Sequence, residues 1–191
     1  MYVSTLKLQP GICLKTVFAL LLAASASACH CRNARTNSNA ETAPATDRVD
    51  DAVISRIEEY PVGGIALFSR NITSAEQLPM FISDLQSSSK YPLFIAVDEE
   101  GGRVARIANS DFFNVASYKS MEDIGKSGDA SKAEEVGRQI GSYLKELGFN
   151  LDFAPVADTN TNPQNIVIGD RSYGSDPALV ARMVSDRKSV V

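Results

Sequence analysis

Cysteine and histidine are absent from all but the first 31 residues, and this excludes several kinds of chemistry from the body of the chain. The three cysteines are Cys13, Cys29 and Cys31, and His30 is the only histidine. Beyond them there is neither a thiol nucleophile nor a disulfide, whatever the redox compartment. Cys29-His30-Cys31 is not read as a metal site, because zinc takes four ligands at wider spacing and none follow nearby. Excess positive charge is also lacking. With a formal net charge of -4 and no lysine and arginine stripe, nucleic acid is not expected as a partner. The apolar run Val17 to Ala24 is too short to span a bilayer comfortably.

What is present is the composition of a soluble globular protein, 44% hydrophobic and 22% charged, with room for one domain of ordinary size. Residues 1–28 read as an export signal: Lys7 and Lys15 form the basic start, VFALLLAA the apolar core, and Ala26-Ser27-Ala28 the small residues for cleavage. Cys29 follows directly, so the region also resembles a bacterial lipoprotein signal in which that cysteine is lipidated. Simple secretion and lipid anchoring both stay open, and both place the protein in the bacterial cell envelope. A lipid anchor at Cys29 is the one membrane contact read from the sequence. Residues 29–47, rich in Asn, Thr, Ser and Ala, bury too little apolar surface to order themselves and read as a flexible tether.

From residue 48 the pattern changes. Val49, Val53, Ile54 and Ile57 recur at helical spacing, ending before Pro61. Ile65 to Phe68 reads as a buried strand. Thr73 with Glu76, and Ser74 with Gln77, offer capping boxes for a helix whose apolar face is Ala75, Leu78, Phe81, Ile82 and Leu85. Leu93 to Arg106 (LFIAVDEEGGRVAR) follows, an apolar run that suits a parallel strand buried on both faces and opening into charge. Strand, helix and strand within this span form a βαβ unit.

Asp98, Glu99 and Glu100 cannot all be buried without partners. Arg103 and Arg106 are their natural partners, brought back by a tight turn at Gly101-Gly102. A solvated acidic turn and a polar ligand site both fit the stretch, and ligands in α/β folds collect at such strand ends. Three consecutive acids on a strand alternate between faces, which argues against a magnesium site. No cofactor or metal is expected.

The segment from Arg106 to Gly128 reads as a long connection and a candidate pocket wall. A helix capped by Asp129 or Ser131 then carries Ala133, Val136, Ile140, Tyr143, Leu144 and Leu147 on one face, and Gly148 closes it. Asn150 to Asp158 (NLDFAPVAD) reads as a strand made awkward by Pro155. Asp158 is either a turn aspartate or a second acid facing the pocket of Asp98. Asp176-Pro177 starts a final helix.

Four segments carry a resemblance: GGIALFSRN (63–71), IAVDEEGGRVARI (95–107), LGFNLDFAPVADT (147–159) and IGDRSYGSDP (168–177). In this order they resemble family 3 glycoside hydrolases, within them the bacterial beta-N-acetylhexosaminidase branch. The resemblance implies an α/β fold, a (β/α)8 TIM-type barrel present only in part over residues 48–185, and a terminal N-acetylhexosamine as the carbohydrate partner. It assigns sugar binding to Asp98, Arg106 and Arg171. The implied reaction is hydrolysis by a retaining double displacement.

The departures concern the catalytic groups. The branch's histidine proton donor and lysine-histidine motif have no counterpart here, and the nucleophile's strand would lie further on, so no catalytic residue is expected in this chain. A tethered sugar-binding protein without catalysis and a beta-glucosidase-type member of the family are the alternatives. Residues 186–191 (DRKSVV) break the helical pattern and resemble a translated sequencing adapter. They are expected to be a non-native tail on a truncated barrel.

Overall fold

A computed structural model describes residues 47–59 and 62–187. The leader 1–28, the tether except Asp47, Pro61 and residues 188–191 lie outside the described residues. The first helix, α1 (Asp51–Glu59), forms where the apolar spacing puts it, with Ile57 buried. The Asp50 Oδ1 caps it by accepting the Val53 amide at 2.9 Å.

Strand β1 (Gly64–Leu67) and strand β2 (Phe94–Val97) pair in parallel, Ile65 opposite Ile95. Between them runs α2 (Gln77–Ser87), which buries Leu78, Phe81, Ile82 and Leu85. Its first turn uses both halves of a capping arrangement. The Ser74 hydroxyl accepts the Gln77 amide at 3.0 Å, while Gln77 Oε1 accepts the amide of Thr73 rather than that of Ser74, at 3.1 Å.

Beyond β2 the sequence implies a loop, and the structure adds an antiparallel hairpin of β3 (Glu99–Gly101) and β4 (Val104–Ala105). Gly101 and Gly102 make its turn with φ of 89° and 64°, values that side chains with a Cβ rarely adopt. The long connection is also shorter than expected, because α3 (Met121–Lys126) occupies part of it. The missed signal is Ser120 with Asp123: the Ser120 hydroxyl accepts the Asp123 amide at 3.0 Å.

Helix α4 (Ala130–Leu147) is capped by Asp129 and closed by Gly148 at φ 97°. The strand expected over 150–158 shrinks to β5 (Leu151–Asp152), which pairs with β2 in parallel. Pro155 has no N–H for the ladder, its bond to Ala154 is cis, and the last amide bonding to β2 is Phe153, to the Val97 carbonyl at 2.9 Å.

Helix α5 (Pro177–Arg187) packs along α4. The helical pattern does not break at Asp186. Arg187 is buried, because its stem lies in the core and its guanidinium donates to the carbonyls of Glu100 at 2.6 Å and Glu99 at 3.2 Å.

The parallel sheet has the order β1-β2-β5, with β2 central. Its core combines Ile95 and Val97 with apolar faces of α2 and α4. The arrangement is a partial (β/α) barrel, with the hairpin hung from the carboxyl end of the central strand. Among the described residues no helix is long and apolar enough to cross a membrane.

Candidate functional site

The three consecutive acids at the end of β2 take three separate sets of partners. Asp98 Oδ2 accepts from Arg106 Nη2 at 3.0 Å, and both side chains remain about a quarter to a third exposed, at 26% and 30%. Glu99 is completely buried. Its carboxylate accepts the amides of Ile107 at 2.8 Å and Ala108 at 2.9 Å, and the Tyr143 hydroxyl at 2.8 Å. Glu100 turns the other way and takes Arg171 in a fork, Nε at 2.7 Å and Nη2 at 2.6 Å.

Arg106 is thus the partner that the sequence reading assigns, whereas Arg103 is not. Arg103 reaches away to Asp170 at 3.0 Å and donates to the carbonyls of Ile166, Val167 and Ile168. Arg171 Nη1 donates to the Val167 carbonyl at 3.1 Å, so both arginines fasten the 166–171 loop against the hairpin. Turn length explains the exchange: two residues after Gly101, Arg103 lies at the outer tip, while Arg106 has already returned beside Asp98.

Charge ties these groups together. The Glu100 hydrogen bonds hold the Arg171 guanidinium still more firmly protonated than usual, and the Asp158 and Asp98 charges add to this against a partial burial. Asp158 is itself exposed, and its carbonyl accepts the Ser172 hydroxyl at 2.6 Å. It therefore serves in the turn and contributes its field to Arg171.

Burial pushes the Asp152 carboxyl up to about 7. The Glu99 amide bonded to it and the Arg187 charge pull it down, while the Glu99 and Glu100 charges push it up. Burial also raises the Tyr143 hydroxyl, with the Glu99 charge acting in the same direction.

Asp152, Tyr143 and Arg187 were not singled out as polar partners by sequence reasoning. Tyr143 sits on an apolar helical face and reads as core, and nothing local says that its hydroxyl meets a carboxylate. Among the described residues no group of three His, Cys, Asp or Glu side chains is placed to hold a metal ion.

Beside the Asp98–Arg106 pair lies a pocket of about 310 Å³, lined by Ser69 and Ile72 after β1, by Arg106, and by Asn109 to Phe112. The expected pocket wall is therefore the first part of the connection after β4, while its later part forms α3. Together the site offers one carboxylate and two guanidiniums, with a cavity of mixed polar and apolar lining beside Arg106. Such a set can bind a polyhydroxylated ring, since carboxylates accept from hydroxyls and guanidiniums donate to them.

Residues 30–187 match the family described as the glycosyl hydrolase family 3 N terminal domain. The chain belongs to this family. It is 40% identical over 136 residues to Beta-hexosaminidase A of Pseudoalteromonas piscicida, covering 66% of this chain and 22% of that protein. Against the Beta-hexosaminidase of Neisseria meningitidis serogroup B it is 35% identical over 140 residues, covering 71% of this chain and 38% of the relative. A family 3 beta-N-acetylglucosaminidase from Paenibacillus superposes with a TM-score of 0.68 at 39% identity, over 74% of this chain and 27% of that one. NagZ from Neisseria gonorrhoeae, solved with N-trifluoroacetyl-D-glucosamine, gives a TM-score of 0.67 at 32% identity, over 75% and 43%. The chain thus spans between about a fifth and two fifths of the length of these relatives.

Proposed function

We propose that the chain forms the amino-terminal part of the sugar site of an exported family 3 enzyme that hydrolyses terminal beta-linked N-acetylhexosamine. The observation that carries this reading is the Asp98–Arg106 pair at the carboxyl end of the central parallel strand, with Arg171 held alongside by Glu100. Asp98, Arg106 and Arg171 are the sugar contacts in this reading. Asp98 accepts from neighbouring hydroxyls, and the arginines donate through N–H groups not spent on carboxylates. The beta-hexosaminidase and beta-N-acetylglucosaminidase names of the relatives support the substrate class.

No bond-breaking group is assigned to this chain. In this reading the described residues bind the sugar, and the nucleophile and proton donor of the reaction are not assigned among them. Export, with either cleavage after Ala28 or lipidation of Cys29, rests on the leader sequence alone. The mass of the mature amino terminus distinguishes the two.

Titrating the chain with N-acetylglucosamine in a calorimeter tests the site. Saturable binding that Asp98→Asn weakens at least about tenfold is the expected result, and identical heats from both proteins would refute it. Hydrolysis of a chromogenic N-acetylglucosaminide by the 191-residue chain would overturn the assignment of catalysis elsewhere.

A further inference from the structure

We propose that Arg103 is a positioning residue for sugar binding: by tying the 166–170 segment to the hairpin, it aims the Arg171 guanidinium at a ligand held by Asp98. The inference rests on the sugar-binding reading of Asp98 and Arg171, and adds a residue that does not itself touch the sugar. Its first support is how the segment is held. Residues 161–167 are all exposed, Ile166 at 81% and Val167 at 62%, so no apolar burial fixes them. Asn165 Oδ1 accepts the amides of Val167 at 3.1 Å and Ile168 at 3.3 Å. These local bonds shape the turn without attaching it to the hairpin.

Arg103 supplies that attachment. Its Nη2 donates to the successive carbonyls of Ile166 at 3.0 Å, Val167 at 2.7 Å and Ile168 at 3.0 Å, while its Nε meets Asp170 Oδ1 at 3.0 Å. The second support is that two of these carbonyls also hold Arg171. The Val167 carbonyl accepts from Arg171 Nη1 at 3.1 Å, and the Ile168 carbonyl accepts the Arg171 amide at 3.0 Å. Glu100 fixes one edge of the Arg171 guanidinium, through Nε and Nη2. Arg103 fixes the other nitrogen at one remove.

The third support is location. Arg103 and Asp170 are each 46% exposed at the hairpin's tip, so when the arginine is removed water reaches the groups it leaves, and little stability is lost. A residue with a purely structural role would show its loss in unfolding. A residue that aims Arg171 shows it in binding, and shows it only while Arg171 is there to be aimed.

The test titrates the 191-residue chain with N-acetylglucosamine and repeats the titration with Arg103→Ala, Arg103→Lys, Arg171→Lys and the double variant Arg103→Ala/Arg171→Lys, each also unfolded in urea. Arg103→Ala should weaken binding at least about fivefold while its urea midpoint stays close to that of the wild type. Arg103→Lys should regain only part of the affinity, because one ammonium cannot serve three carbonyls and Asp170 together. In the Arg171→Lys background, Arg103→Ala should change affinity by less than about twofold, since the residue it acts through is gone. Wild-type affinity in Arg103→Ala, or an equal loss in both backgrounds, would overturn the positioning role while leaving the Asp98 reading intact. No saturable binding by the wild-type chain would overturn both.

Discussion

Glu100 and Arg171 meet through two parallel N–H···O bonds across 71 residues of sequence. That fork carries the orientation of Arg171, because the side chain is only 22% exposed and its planar donors fit a carboxylate in one way. Replacing Glu100 with Gln removes the charge and one of the two acceptors. The expected loss is about 1.5–3 kcal/mol of unfolding free energy by urea titration. A loss under about 0.5 kcal/mol would mean that water serves Arg171 equally well.

Asp98→Asn should act differently. The Asp98–Arg106 pair is partly solvated, so breaking it should cost no more than about 1 kcal/mol of stability. Binding of N-acetylglucosamine should nevertheless weaken at least tenfold, about 1.4 kcal/mol. Parallel unfolding and calorimetric titrations separate the two effects. Equal losses in both would identify Asp98 as a structural residue.

Glu99 is the structural member of the three acids. Glu99→Ala leaves the amides of Ile107 and Ala108 and the Tyr143 hydroxyl without their acceptor and opens a cavity, so a loss of about 3–5 kcal/mol is expected. Tyr143→Phe removes one of the three donors and should cost about 1–3 kcal/mol. Chemical denaturation of both variants checks the ranking.

Asp152 makes stability depend on pH. Its folded-state carboxyl titrates near 7 against an ordinary 3.8, so the folded protein holds the proton more tightly than the unfolded chain. The stabilisation this gives is complete below about pH 4 and is lost as pH rises through 7, up to about 4 kcal/mol in all. Asp152→Asn mimics the protonated acid and should remove that slope. The check is the difference in unfolding free energy between wild type and variant at pH 4 and pH 8, and a difference that does not change with pH would contradict it.

Much of this architecture can be read from local pattern. The apolar runs before Leu67 and Val97, the cap at Asp129 and the stop at Gly148 are decided by neighbours within a few residues. The sequence overstates strand β5, because FAPV looks apolar enough for a ladder although Pro155 cannot donate. The hairpin escaped because β4 is only two residues, Val104 and Ala105. At the site, Asp98 with Arg106 is a local pair, eight residues apart. By contrast, Glu99 with Tyr143 and Glu100 with Arg171 depend on how distant elements dock, and no spacing rule reports that. The burial of Arg187 is hidden for the same reason: only the packed core shows the two carbonyls that its guanidinium meets.

The bonds from Glu99 to Ile107 and Ala108 have a mechanical consequence. They clamp the chain immediately after the hairpin, so a pull on the segment that follows is absorbed there before it reaches Asp98. The position of Asp98 is therefore insulated from displacements of the residues beyond Ala108.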